Sequence, residues 1–547
     1  MDDRTLRAQK MGVRLSTVAA VFAGAALYSA LPPTVIPLND DFGSYRSVLE
    51  TIAHHRPWTN DWLAPWSASL SVITAALFMM TGSLHTSIGA VLAFSSGVFV
   101  AGVSALMRSR GLGTVPSVGV ALLIWTCPVV LWKAFEFTSV ALCLPLLVWA
   151  IWAAEQRRWL LFAVLWSVAV ASRQSAVAWL MLPAWAAVSA FRLRSPRTAW
   201  MGPAAVVAGG ALVFAALTMT MNTTYAQRLV SQDFFQTLTP GRVVVTLALG
   251  AGIAVLSAGI GIATLASPRA RNGRPGPSRF GHVIVAAILV AVFGLALRGL
   301  SVERPEHAGL FGMTYAGILG ALGAIGARMH PAGLRWQYAA AAAVSVGLIS
   351  LRPFVWDYYF LDAAVLMFLS ALPAVPALRL RPAAIIVALV VAAFHAAAAV
   401  RMKVDVDRAH AATVLGEQAL RAGRLDPTEL AFAPFGFQGW HLHPHYVGHD
   451  GQQARENAGF SAYLRPSGVR MTSGQGDTAI GNGDVLASGV FQVGWFWHQR
   501  FTLVRSADGD QPPELPLDRT TYQRVSFPLT DAEWRRAAAQ TLPTGIR

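Results

Sequence analysis

The chain is 547 residues long, 54% hydrophobic and 13% charged, with 43 Lys+Arg against 28 Asp+Glu. A soluble domain carries about 25% charged residues, so half that fraction in a chain too long for one core excludes an ordinary water-soluble globule and fits a polytopic membrane protein. The basic surplus does not describe a nucleic-acid binder, because residues 1–401 hold 29 bases and 13 acids while residues 402–547 hold 14 and 15, which puts the excess in the apolar part, where loop arginines set topology.

Thirteen apolar stretches read as membrane spans, at roughly 12–30, 66–82, 88–106, 137–153, 158–172, 176–190, 201–219, 243–265, 280–297, 309–327, 336–351, 358–377 and 383–400. Most approach the ~20 apolar residues that a spanning helix needs, and tilt or burial accommodates the shorter ones. Arg4, Arg7, Lys10 and Arg14 precede the first stretch, as in a signal peptide. Tyr28 stands where cleavage needs a small residue, so a retained anchor is expected. The segment 114–131 (TVPSVGVALLIWTCPVVL) is also apolar. Counting it as a crossing would move Arg157, Arg158, Arg192, Arg194, Arg197 and the basic loop 269–279 outside, so it reads as a re-entrant or surface helix. The expected topology has a cytoplasmic N-terminus, an external C-terminus, and ten of the thirteen acids of residues 1–401 outside or at the outer boundary, with Asp2, Asp3 and Glu155 inside. Cys127 and Cys143 both lie in apolar stretches, which argues against a disulfide scaffold or thiolate cluster.

The first outer loop, 31–65, carries Asp40-Asp41 in NDDFGSY, at the head of an amphipathic segment that includes Tyr45. Acids at a membrane boundary are costly to desolvate and point to function. Further along come HRPWTNDWLAPWSASL, a lone Glu136 in KAFEFTS, Arg173-Gln174 in ASRQSAVAWLMLP, and Arg352, Asp357 and Tyr358 in RPFVWDYYFLD. In combination these features resemble the GT-C superfamily of membrane glycosyltransferases, which includes the lipid A aminopentose transferases, the protein O-mannosyltransferases and the catalytic subunits of oligosaccharyltransferases. The resemblance runs over residues 10–400. It implies a GT-C-like helical fold, a polyprenyl-phosphate sugar as donor and an acceptor hydroxyl at the outer face.

Inverting sugar transfer removes a proton from the acceptor hydroxyl, and a carboxylate within hydrogen-bond reach serves as general base. The resemblance places that base in the first outer loop, hence at Asp40 or Asp41, with Asp41 preferred. Adjacent residues on a helix do not share a face, so the other acid caps or supports the segment. The resemblance places a second acid at Glu136; the plainer alternative there is a surface ion pair with Lys133, three residues earlier. A lipid-phosphate leaving group calls for cations at the outer boundary. Arg173 and Arg352 lead, followed by Lys133, Arg298 and Arg304, the last two equally explained by snorkelling at helix ends. Tyr45, Gln174, Asp357 and Tyr358 complete the expected pocket, although Arg352 with Asp357 reads equally as an internal ion pair. The reading requires no cofactor or metal. His54-His55 and the run His441, His443, His445 and His449 lack the further ligands of a metal set.

From residue 402 the composition changes. Asp405–Gly423 reads as an amphipathic helix stopped by Gly423, followed by β-like runs in ELAFAPF, DVLASGVFQVG and RFTLVRS. The expected architecture is a transmembrane domain, 1–401, and a small α+β domain, 402–547, outside the membrane. Trp495, Phe496 and Trp497 belong to the second domain's core or stack on sugar rings. Arginine far outnumbers lysine and alanine is abundant, as in a GC-rich bacterium, so the expected location is a bacterial inner membrane. Donor lipid, bilayer and a glycan, lipid or protein acceptor are the expected partners. Two other classes compete. An envelope polysaccharide polymerase or ligase is disfavoured by the short later outer loops, and a secondary transporter by the lack of a repeat and of midplane ionisable residues.

Overall fold

The computed structural model describes residues 3–32, 68–220, 382–424, 469–473 and 484–505, with single helical positions at 44, 48, 51, 338, 341, 342, 344, 345, 362, 365 and 366. Asp40, Asp41, Tyr45, Arg298, Arg304, Arg352, Asp357, Tyr358, both histidine groups, ELAFAPF and the spans expected between 243 and 327 lie outside the described residues. The fold is mostly helical: α1 (Asp3–Ala30), α2 (Ala68–Thr81), α3 (Leu84–Ser109), α4 (Thr114–Trp125), α5 (Pro128–Phe135), α6 (Ser139–Glu155), α7 (Trp159–Val170), a 3-10 helix (Gln174–Leu180), α8 (Met181–Arg192), α9 (Arg197–Thr220) and α10 (Pro382–Arg421). Among the described residues four helical stretches are long and apolar enough to cross a membrane: Gly12–Ala30, Leu84–Ser109, Gln174–Arg192 and Arg197–Met219.

α1 and α3 run antiparallel at backbone contact. A Cβ on Gly24 would stand 2.8 Å from the Ala93 carbonyl oxygen, and one on Gly97 2.9 Å from that of Ala20. Ala20/Gly24 and Ala93/Gly97 are therefore facing pairs of small residues four apart, the arrangement that lets membrane helices approach without a hydrophobic driving force. On one side of this crossing Ser16 Oγ and Ser104 Oγ share a 2.8 Å hydrogen bond, and Gly12 lies against Arg108 and Thr114. On the other side Gly89 meets the Tyr28 ring.

These contacts fix the two ends of the bundle. Arg110, just past α3, pairs with Glu155 at the end of α6 at 2.6 Å. Trp149 Nε1 donates to the Val98 carbonyl at 3.0 Å, so α6 runs alongside α3 in the same direction. Trp159 lies against Gly202, and Phe191 meets Trp200 edge-on, which brings the turns at 156–158 and 193–196 to the same level. Arg14, Arg108, Arg110, Arg157, Arg158, Arg192, Arg194 and Arg197 thus gather at one end. Tyr28, Gly89 and the start of α3 mark the far end.

The geometry departs from the expected topology at two segments. Segment 114–131, read as non-crossing, starts beside Gly12 at the arginine end and leads to the first turn of α6. That turn is about 25 Å away, at 1.5 Å per residue of α6. α4 and α5 cover this length together, broken at Thr126-Cys127 ahead of Pro128. Thr126 Oγ1 stitches the break, donating to the Leu122 carbonyl at 2.9 Å and lying 3.2 Å from His395 Nδ1. The segment 66–82, read as a crossing, does not run the whole length. The first N–H of α2 is bound by the Ala171 carbonyl at the end of α7, and its last residue turns directly into α3 at the far end. Loop-charge counting weighs loops, whereas the depth of a short helix is set by what its end groups bond to. The two differences offset each other. Leu31 and Glu136 still share the far end, while Arg108 and Arg110 move to the arginine end.

α10 joins two expected elements in one 40-residue rod, passing the boundary drawn at 401/402 without a break. It stops as expected at Gly423 (φ +67), across which the Arg424 N–H reaches the Ala419 carbonyl at 2.9 Å. This six-to-one bond around a left-handed glycine is a Schellman closure. An antiparallel sheet, ordered β1 (Val469–Ser473), β3 (Trp497–Arg505), β2 (Asp484–Val493), packs its Leu486, Val493, Phe501 and Leu503 on Ala411, Leu415 and Ala419 of α10. β2 and β3 match expected runs. β1 (VRMTS) was not anticipated, because its two apolar residues make too short a run to stand out. Asp407 pairs with Lys403 and accepts the Gly494 N–H at 2.8 Å, fastening the β2–β3 turn to the rod. His410 meets Phe491 edge-on, and burial, then the charges of Lys403 and His85, push its pKa down to about 4. The ring is therefore neutral at physiological pH. His85 opens α3, so the sheet docks at the far end.

The arrangement predicts sidedness directly. With Cys127 and Cys143 buried, single cysteines at Gly113 and Arg158 react with an impermeant maleimide from one side of sealed vesicles, and one at Thr81 reacts only from the other. Thr81 and Arg158 labelling together would restore the crossing at 66–82.

Candidate functional site

Two buried ion pairs sit where helices break. α5 ends at Phe135, and Glu136 leaves the helix with extended backbone (φ −86, ψ 135), its N–H bound by the Trp132 carbonyl. The i,i+3 spacing returns its carboxylate to Lys133 of the last turn. The ion pair anticipated at the surface does form, but it is buried: Glu136 is 0% and Lys133 2% exposed.

The second pair lies where α7 gives way to the 3-10 helix. Arg173 is extended (φ −155, ψ 115), its N–H held by the Ala169 carbonyl at 2.8 Å, and its carbonyl accepts the Ala176 N–H. Trp166 Nε1 donates to the Ala176 carbonyl at 2.9 Å and braces the turn. Arg173 Nε donates to Ser175 Oγ at 2.9 Å and stands 3.5 Å from Asp362 Oδ2. Ser175 Oγ donates to the same Oδ2 at 2.9 Å, closing a three-membered ring around a fully buried carboxylate. Gln174 opens the 3-10 helix and is half-buried.

The two pairs flank one short stretch of α6. Cys143, one turn into that helix, lies 3.5 Å from the Ala169 carbonyl and within electrostatic reach of both Arg173 and Asp362. Glu136 precedes the same turn, separated from it by Phe137 and the N-cap Thr138. The Thr138 and Ser172 hydroxyls and Asp362 Oδ1 are buried and make no hydrogen bond among the described residues. The region thus offers two cations, two carboxylates and two hydroxyls in an apolar bundle, where each electrostatic interaction exceeds its strength in water.

Of the residues singled out from sequence, Glu136 and Lys133 thus lie just before the first turn of α6, and Arg173 and Gln174 just after the end of α7 that meets Cys143. Asp362 was not given a role, although it ends the RPFVWDYYFLD motif. An acid inside an apolar stretch requires a counter-charge, and that signal was available. Its partner, 187 positions away, is not readable from the chain. At the opposite end Arg110, Glu155 and Tyr338 form a separate cluster: the Tyr338 hydroxyl donates to Glu155, and the Arg110 guanidinium lies 5.5 Å over the Tyr338 ring. Among the described residues no three of His, Cys, Asp and Glu gather to hold a metal ion. No protein-family model matches the chain, and neither a curated protein nor a solved structure matches it.

Asp362→Asn keeps an acceptor for Ser175 but leaves the Arg173 guanidinium without its counter-charge. Breaking a buried pair in this way costs about 3–5 kcal/mol, whereas replacing both partners by apolar groups is close to neutral. Thermal unfolding in detergent is expected to show a large drop for Asp362→Asn and recovery of most of it in Arg173→Met/Asp362→Leu. Equal stability of Asp362→Asn and wild type would mean that the pair is not desolvated.

Proposed function

We propose that the chain is a membrane glycosyltransferase of the GT-C type, moving a sugar from a polyprenyl-phosphate donor to an acceptor hydroxyl at the far end of the bundle. One observation carries the reading. Lys133–Glu136 and Arg173–Asp362 are buried around the first turn of α6, at the end from which residues 31–65, with Asp40-Asp41, depart. The arginine end is cytoplasmic by the positive-inside rule, which puts the site, the first loop and the C-terminal domain outside. Exchanging the crossing at 66–82 for the broken one at 114–135 keeps thirteen crossings and both termini on their expected sides. From the arginine- and alanine-rich composition, the membrane in this reading is a bacterial inner membrane.

The chemistry follows from ion exchange in an apolar setting. A donor phosphate entering the site competes with Asp362 for Arg173 and with Glu136 for Lys133. Arginine holds phosphate oxygens bidentately and lysine holds them as a point charge. Arg352, Arg298 and Arg304 are the further candidates for the phosphate. Each carboxylate holds its cation in place until the phosphate arrives, which avoids an uncompensated buried charge. Glu136, displaced from Lys133, then orients the acceptor, and Asp41 or Asp40 takes its proton as the bond to the phosphate breaks. Tyr45, Asp357 and Tyr358 line the sugar's side in this reading, with Gln174 beside Arg173.

A second reading draws on the same pairs. Buried ionisable residues at broken helices are also the machinery of secondary carriers, and the sequence had placed such residues only at the boundaries.

Purified wild type is expected to move label from at least one radiolabelled polyprenyl-phosphate monosaccharide to a membrane extract. Asp41→Asn or Asp40→Asn should lower the rate by about 10²-fold or more, the usual worth of a general base. Arg173→Gln should raise the donor KM. Absence of transfer from every donor, together with gradient-driven uptake by proteoliposomes that Glu136→Gln abolishes, would overturn the transferase in favour of a carrier.

A further inference from the structure

The β2–β3 turn places three consecutive aromatics at a defined height. Gly494 turns the chain at φ +69, and its N–H is bound by Asp407 of α10. Along α10 the apolar run ends at Val400, and Arg401, Lys403, Asp405, Asp407 and Arg408 follow. Asp407 is thus about 10 Å beyond the end of the uninterrupted apolar run, at 1.5 Å per residue, within the depth of a headgroup layer. A second gauge agrees. His410 is within electrostatic reach of His85, where the apolar helix α3 begins. Both gauges put the turn at the boundary of the apolar bundle.

The three rings then divide. Trp495 packs inward on the bundle core. Phe496 and Trp497 point outward, 84% and 59% exposed, with their rings edge to face at 6.3 Å. Tryptophan, with an apolar ring and a polar N–H, concentrates at the membrane–water interface, and the phenylalanine beside it adds apolar area. A sugar-stacking platform presents flat faces side by side, whereas these two planes stand at 86°. The strand that follows carries His498, Arg500 and Arg505 and no acid, a sign that suits the anionic lipids of a leaflet surface.

We infer that the Phe496-Trp497 tip is an interfacial anchor, bedding the C-terminal domain into the lipid headgroup layer beside the bundle. The inference rests on the membrane reading of the chain and not on sugar transfer, so it stands or falls independently of catalysis. It makes the bilayer surface a third support of the domain, alongside the apolar face of α10 and the Asp407–Gly494 bond.

Spin labels on Phe496→Cys and, as the reference, Asp484→Cys provide the test in the full-length protein. Cys127 and Cys143 are buried and exposed Asp484 lies at the other end of β2, about 30 Å from the tip at 3.4 Å per residue. Power saturation in phosphatidylethanolamine/phosphatidylglycerol vesicles compares collisions with oxygen, which partitions into lipid, and with a water-soluble nickel chelate. The oxygen-to-nickel ratio is expected to be several-fold higher at 496 than at 484, and to fall to the value at 484 when the label sits in Phe496→Cys/Trp497→Ala protein held in a lipid-free amphipol. Equal ratios at the two sites in vesicles would overturn the anchor. Nickel-accessible labels at 496 that become protected only on adding donor or acceptor glycan would also overturn it, assigning the tip to substrate instead.

Discussion

A charge carried into an apolar bundle must bring its counter-charge with it, and the described part of this protein is organised by that requirement. The transfer of a lone ion costs several kcal/mol even after relaxation. Arg173 and Asp362, Lys133 and Glu136, and Arg110 and Glu155 are all paired within the bundle. The first two pairs need their helices interrupted. A carboxylate three residues before α6 and a guanidinium between α7 and the 3-10 helix are brought inward by extended backbone, which an unbroken helix does not offer. Such backbone survives at membrane depth only inside protein, where neighbouring groups take over its hydrogen bonds. Here the Ala169 and Trp132 carbonyls, the Trp166 indole and the first amide of α2 do so. The charges and the breaks are therefore one feature.

Orientation comes from a different contact. The reciprocal fit of Ala20/Gly24 with Ala93/Gly97 leaves no room for a methyl group, and it locks α1 and α3 antiparallel. Once that pair is set, Glu155 must sit at the base of α3 and Glu136 a helix length away. The chain between Arg110 and Glu136 then has to traverse the bundle. Two short helices joined at Thr126 do this, one of them starting with proline, whose missing N–H suits the first turn of a helix.

The sequence was informative where physics is local. Apolar run length located α3, α6, α7 and α9 within a few residues and the end of α1 at Ala30, and turn chemistry located the stop at Gly423. The i,i+3 spacing of Lys133 and Glu136 announced their pairing. Three things were not local. Burial of that pair depends on helices remote in the chain. The Arg173–Asp362 contact joins positions 187 apart. The depth at which α2 starts is set by the Ala171 carbonyl, which no window of hydropathy contains. Glu136 and Leu31 nevertheless lie at the same end of the bundle, because the differences at 66–82 and 114–131 have opposite sign.

α10 ties these features to the C-terminal sheet. Its His395 touches Thr126 at the α4–α5 break, and its Asp407 holds the β2–β3 turn twelve residues on, about 18 Å along one uninterrupted helix. Lys133 and Glu136 follow that break by less than three turns of chain. A helix transmits axial displacement along its length with little compression, since each residue's N–H is bonded four residues back. The height of the β hairpin and the depth of the break that leads to the buried lysine are consequently fixed by the same rod. A force that lifts the sheet from α10 must first break the Asp407–Gly494 bond and expose the apolar face shared by Leu415, Val493 and Phe501. That coupling gives the small outer domain a physical connection to the charged interior, even though none of its described side chains reaches the pairs themselves.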